Sequence, residues 1–136
     1  MKPLKSLFVI DDDAMYRYIA ESAIKSAGLP LQISVFPNGR EAIDALERNI
    51  DSEENLPDLI LLDLMMPIMD GWAFLNYYEQ LKPRLGKQIV IYIVTTSNNT
   101  VDLDRAKQIS DVTGYVIKPM THQKFVDLVE KSFGSN

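Results

Sequence analysis

Short apolar runs alternate along the chain with longer stretches whose apolar positions recur every three or four residues, which predicts a succession of β/α units. Five runs read as strands, over 7–10, 32–36, 59–62, 89–94 and 115–117. Most are continuously apolar instead of alternating. That is the pattern of strands covered on both faces, so the expected architecture is a parallel sheet with helices on each side. Between the strands, 14–27 carries Ile19, Ala20, Ala23, Ile24 and Ala27 on one stripe and stops at Gly28. Asn38 is placed to cap a second helix that buries Ala42, Ile43 and Leu46 and runs out near Asn49, ahead of an acidic, solvated loop over 51–55. A third helix begins at Gly71 or Trp72, buries Phe74, Leu75, Tyr78 and Leu81, and ends at Pro83. Thr100 is expected to cap a fourth that reaches Asp111 with Val101, Ala106 and Ile109 inward. Thr121 is expected to cap a fifth over 122–133, with Phe125, Leu128 and Val129 inward. The fold class is therefore α/β, a doubly wound (βα)5 chain.

Length and composition narrow the picture. A chain of 136 residues suffices for one hydrophobic core, so the expectation is a single domain over 1–136 with no output domain. No apolar run approaches the length that spans a bilayer. The start, Met1 to Ser6, is basic but lacks a signal peptide's apolar stretch, so a cytoplasmic location is expected. The absence of cysteine excludes disulfides and thiolate chemistry, leaving oxygen or nitrogen for any nucleophile. A net charge of -5 without a basic cluster argues against direct DNA binding and favours proteins and small cations as partners.

The chemistry lies where the strands end. The first runs into Asp11-Asp12-Asp13, the third into Asp63, the fourth into Thr95-Thr96-Ser97 and the fifth into Lys118-Pro119. In an open parallel sheet these ends share one edge, so the groups converge. Crowded carboxylates repel one another, and a hard cation relieves the repulsion; a few carboxylate oxygens plus waters suit Mg²⁺. A lysine and a hydroxyl on the same edge can then hold the oxygens of a phosphoryl group arriving at a carboxylate. Asp13 is the expected cap of the first helix, His122 a surface residue, and Met65, Met66 and Met69 packing around a tight loop.

The order Asp11-Asp12, then Asp63 followed by Met66-Pro67 and Asp70-Gly71, then Val94-Thr95-Thr96, then Tyr115-Val116-Ile117-Lys118-Pro119 resembles the response-regulator receiver domains of the CheY-like superfamily. The resemblance implies a flavodoxin-like sheet in the strand order 2-1-3-4-5 and a phosphoryl-accepting switch of a two-component or phosphorelay system. It implies Asp63 as the phosphoacceptor, with Asp11, Asp12, Asp63 and the Met65 backbone carbonyl as ligands of Mg²⁺ or Mn²⁺. Thr95 and Lys118 would hold phosphoryl oxygens, and Thr95 and Tyr115 would form the switch to a face made by the fourth helix, fifth strand and fifth helix. The donor implied is a sensor histidine kinase or histidine phosphotransfer protein, and the output is control of a downstream protein target rather than enzymatic turnover. Lys118-Pro119 stands where the family has a cis peptide, Thr96 where it usually has a smaller residue, and Met65 and Ser97 at positions flanking the path of a hydrolytic water. Tyr16, outside the apolar stripe of its helix, is expected to be an exposed anchor for the donor. An aspartate-nucleophile phosphatase would need an acid where Met65 stands, and a flavin phosphate carrier would need amides in place of three aspartates. A degenerate receiver acting as a phosphorylation-independent scaffold is the remaining alternative, opposed by the complete set of acids, Thr95 and Lys118.

Overall fold

The computed structural model describes residues 5–133. The basic start expected over 1–4 lies outside them. Strands β1 (Ser6–Ile10), β2 (Gln32–Phe36), β3 (Leu59–Leu62), β4 (Val90–Thr95) and β5 (Val112–Ile117) alternate with helices α1 (Ala14–Ser26), α2 (Gly39–Arg48), α3 (Gly71–Leu81), α4 (Thr100–Lys107) and α5 (His122–Phe133). The strands form one sheet in the order 2-1-3-4-5, and every neighbouring pair is parallel. Successive strand residues point to opposite faces, which explains the uninterrupted apolar runs of β1 and β3. Phe8, Ile10, Ile60 and Leu62 pack under α2 and α3, while Leu7, Val9, Leu59 and Leu61 pack under α1 and α5. β2 and β5 are edge strands and are only partly covered. Among the described residues no helix is long and apolar enough to cross a membrane.

The caps follow local chemistry. Asp13, Asn38 and Asp70 each accept a backbone N–H of the first turn of α1, α2 and α3, and Thr121 Oγ1 accepts from Lys124 in α5. The fourth helix departs from expectation in three ways. Asn99, not Thr100, is its cap, with Oδ1 accepting the Asp102 amide at 2.8 Å. It ends at Lys107 instead of Asp111, whose carboxylate is held at 2.6 Å by Lys82 from the end of α3. Val101 is exposed where an inward position was expected, because five residues at about 100° each set it about 140° round the helix from the buried Ala106. β5 also starts three residues earlier than expected, running through Thr113-Gly114. Gly114 is there for space: a Cβ would stand 2.6 Å from the Tyr92 ring on β4.

At the amino-terminal edge of the sheet, the buried Asp58 accepts the Lys5 and Ser6 amides at 2.8 and 3.0 Å and pairs with Lys87 at 2.7 Å. Burial pushes this carboxyl up, but Lys87 and the two amides outweigh it and hold the group below its ordinary value. One side chain thus joins the starts of β1, β3 and β4.

The loop from β3 to α3 contains the one non-glycine residue with positive φ among those described, Ile68 at φ 70. A β-branched side chain in the left-handed region crowds its own backbone, and Ile68 gains no burial in return, being 84% exposed. Ile68→Asn, which tolerates this conformation, is expected to raise the free energy of unfolding by about 1 kcal/mol, read from the urea midpoint at constant slope. An unchanged or lower midpoint would show that the loop carries no strain there.

Candidate functional site

The carboxyl ends of β1, β3, β4 and β5 bring Asp11, Asp63, Thr95 and Lys118 to one edge of the sheet. Parallel register does this without long-range design. Ile10 pairs with Leu62 and Leu62 with Ile93, so Asp11 and Asp63 stand at one level, with Thr95 one residue and Lys118 two residues further along their strands. Asp11, Asp12 and Asp63 bring carboxylate oxygens within 4.8 Å of one another. Asp11 is 1% exposed and Asp63 is buried, whereas Asp12 faces solvent. Lys118 Nζ lies 2.7 Å from Asp11 Oδ2 and 3.6 Å from Asp63 Oδ2.

Each member is held by backbone. Asp11 Oδ1 accepts the Asp13 amide at 2.9 Å, and the Arg17 guanidinium donates to the Asp11 carbonyl at 2.7 Å. Asp63 Oδ1 accepts the Leu64 amide at 2.8 Å, and the Lys118 amide donates to the Thr95 carbonyl at 2.8 Å. The Lys118-Pro119 bond is cis. Gly71 closes the loop after Asp63, since its amide donates to the Leu64 carbonyl at 3.0 Å and a Cβ would stand 2.5 Å from the Asp63 carbonyl oxygen. The Asp70-Gly71 pair therefore ties the end of β3 to the start of α3 and fixes where Asp63 points. Arg17 and Gly71 are parts of the site that residue chemistry alone did not single out. The signal for Arg17 was its place one turn into α1, directly above the acids.

Thr95 is fully buried, and its Oγ1 accepts only a long contact from the Ser97 amide, 3.4 Å. Ser97 Oγ donates to Asp102 at 2.6 Å, and its carbonyl accepts from Tyr115 OH at 2.9 Å. Tyr115 on β5 is thereby connected to the loop that follows Thr95. Met65 is 68% exposed, whereas Met66 and Met69 pack into the core as expected.

Tyr16 corrects an expectation. It is not an exposed anchor: it is 7% exposed, packed against Phe125 of α5 with ring centroids 5.5 Å apart. Met15 and Tyr18 on the same helix are exposed instead. The cause is the docking of α5 beside the start of α1, a tertiary contact that no periodicity within α1 records.

Electrostatics mark Asp11 as the stressed group. Burial is the main cause that raises its carboxyl from 3.8 to about 6, with the Asp63 charge adding to it, while Lys118 and the Asp13 amide act in the other direction. Such a set of hard oxygen donors, short of positive charge, suits a divalent cation. Because the folded value lies above the unfolded one, folding takes up a proton between about pH 4 and pH 6, and stability falls as pH rises through that window. Asp11→Asn is accordingly expected to be more stable than wild type at pH 7 without divalent cations, by about 1–2 kcal/mol, with the gap closing below pH 4. Parallel urea titrations at the two pH values decide it, and a mutant no more stable at pH 7 would refute the buried-charge reading.

Known proteins resemble this chain in sequence and in fold. Over 126 residues, 93% of the chain, the sequence is 32% identical to the DNA-binding transcriptional regulator NtrC of Escherichia coli K12, of which it covers 24%. The chain thus spans about a quarter of that relative's length. A two-component response regulator from Cytophaga hutchinsonii superposes with a TM-score of 0.83 over 98% of this chain and 100% of its own, at 22% identity, a likeness of fold. The Mn²⁺-bound form of response regulator Rcp1 superposes with a TM-score of 0.75 over 95% of this chain and 93% of its own, at 25% identity. Residues 7–130, a span holding Asp11, Asp63, Thr95 and Lys118, match the family model of the response regulator receiver domain, and the chain belongs to that family.

Proposed function

We propose that the protein is a phosphoryl-accepting switch in which Asp63 takes a phosphoryl group from a phosphohistidine of a sensor kinase or phosphotransfer protein, in the cytoplasm. The observation that carries this reading is the convergence of a buried acceptor carboxylate, an ammonium 3.6 Å from it and a carboxylate cluster within 4.8 Å. In the transfer, an Asp63 oxygen forms a bond to phosphorus as the phosphorus–nitrogen bond of the donor breaks, and the imidazole leaves with the electron pair. Lys118, already beside Asp63, meets the charge on the phosphoryl oxygens, and the Thr95 hydroxyl, which has only a long contact of its own, is available to donate to another. Asp11, Asp12, Asp63 and the Met65 carbonyl are the groups that would hold Mg²⁺ or Mn²⁺. Bound there, the ion supplies positive charge to the phosphoryl oxygens.

The output follows from Thr95. Movement of its hydroxyl toward a phosphoryl oxygen draws on the loop through Ser97, whose carbonyl anchors Tyr115. The face formed by α4, β5 and α5 is the proposed surface for a downstream protein target.

Asp63→Asn, incubated with acetyl phosphate and Mg²⁺, is expected to gain no phosphate by intact mass while wild type gains one group. Equal labelling of the two proteins would remove Asp63 from this role. Loss of phosphate is expected to be slow, because neither flanking side chain offers a free group to hold an attacking water: Met65 is a thioether and Ser97 Oγ is already spent on Asp102. Met65→Asn should shorten the phosphorylated lifetime on the order of tenfold, less than the ~10²–10⁴-fold of full general acid–base assistance. The decay is followed after donor removal, and an equal or longer lifetime in the mutant would count against this account.

A further inference from the structure

The buried Tyr16 has a second neighbour besides Phe125. Lys118 Nζ sits over its ring, 4.3 Å from the centroid. We infer that Tyr16 is a positioning residue for Lys118, a fixed aromatic platform that keeps the ammonium at the phosphoacceptor edge of the sheet. The inference rests on the role given to Lys118 above.

A lysine ammonium is a point charge on four flexible methylenes, so something must aim it. The described structure gives it three partners: Asp11 at 2.7 Å, Asp63 at 3.6 Å and the Tyr16 ring. Both carboxylates belong to the cluster proposed to hold a divalent cation. A cation there would compete with Lys118 for the same oxygens. The ring face is the one attractive partner that such a cation does not contest, because a hard ion seeks oxygen.

The platform is also rigid. Tyr16 lies in the first turn of α1, whose start is fixed by Asp13 accepting the Met15 amide at 3.0 Å. Its ring is backed by the fully buried Phe125 of α5. Its hydroxyl is buried with no hydrogen-bond partner among the described residues. An unpaired buried hydroxyl costs stability, so it is the ring and not the polar tip that earns the position. A leucine or methionine could fill comparable space, but only an aromatic presents a negative face to the ammonium.

The test replaces Tyr16 with Phe, with pentafluorophenylalanine by amber suppression, and with Met. Phosphorylation by acetyl phosphate is measured at saturating Mg²⁺, and the Lys118 ε-methylene shifts are recorded by NMR without phosphodonor. Fluorination keeps the shape and reverses the ring's electrostatics, which a purely structural role would not feel. The fluorinated and Met variants are expected to phosphorylate about three- to tenfold more slowly, on the scale of a desolvated cation–π contact, with Tyr16→Phe recovering the rate to within about twofold. Tyr16→Phe should also melt higher than wild type, having lost the orphan hydroxyl. In wild type and Tyr16→Phe the Lys118 ε-methylene signals should lie upfield, shielded by the ring current, and Tyr16→Met should abolish that shielding. Equal rates for Phe and its fluorinated analogue, or ε-methylene signals that do not move in Tyr16→Met, overturn the proposal. A wild-type protein that takes no phosphate at all would instead sink the switch reading, and the shielding, read without phosphate, then decides whether the platform exists.

Discussion

Two carboxylates cannot be buried side by side without a cation, and the arrangement of this molecule answers that constraint. Asp11 and Asp63 are brought together by the register of β1 and β3, which also buries them. In a low-dielectric setting their repulsion would be severe while both are ionised, so the edge of the sheet must supply positive charge or one of them must take up a proton. Lys118 does so from the end of β5, the far edge of the sheet from β2. Its partial success is visible in Asp11, which is still pushed up to about 6. A site left short of positive charge is poised to take either a cation or a proton, and a protein that exchanges phosphoryl groups benefits from a site that is not already satisfied.

The costs gather on this same edge. Asp11 is desolvated, the Tyr16 hydroxyl is unpaired, and Ile68 stands in the left-handed region beside an exposed Met65. The opposite edge shows the reverse. Asp58 is also buried, though less deeply than Asp11, and Lys87 and two amides saturate it and hold it below its ordinary value. The two buried aspartates thus separate two purposes: one closes the start of the sheet and is stable, the other opens its end to chemistry and is not. Natural chains commonly break local rules where they function and satisfy them elsewhere.

How much of this was legible depended on whether the governing interaction was local. The runs at 7–10 and 59–62 announced strands covered on both sides because both faces of one short segment are apolar, and Asp13, Asn38 and Thr121 announced caps because a cap bonds within its own turn. The convergence of Asp11, Asp63, Thr95 and Lys118 was readable at one remove, through the rule that parallel strands end together. What the sequence hid was set across the fold. Tyr16 was misplaced because the element that buries it, α5, lies about a hundred residues away. The early start of β5 was hidden because Gly114, whose absent side chain makes room for Tyr92, is matched to a ring on the neighbouring strand. In α4 the choice lay between adjacent Asn99 and Thr100, both competent caps, and Val101 stands about 140° round the helix from the buried Ala106.

The same distinction bears on how a signal would leave the site. Thr95 is fully buried and poorly bonded, so moving its hydroxyl sacrifices little, but Ser97 two residues on is held twice, by Asp102 in α4 and by Tyr115 in β5. A displacement at Thr95 therefore reaches the loop as a choice between keeping those two bonds and rearranging both, which favours two discrete arrangements over a graded one. A phosphoryl group can bias that choice only by as much as it binds one arrangement better than the other. Its oxygens would be shared among Lys118, Thr95 and the carboxylate-held charge, and of these Thr95 alone leads directly into the loop that carries Ser97. On the proposed reading the differential affinity, and with it the strength of the switch, would rest chiefly on that hydroxyl.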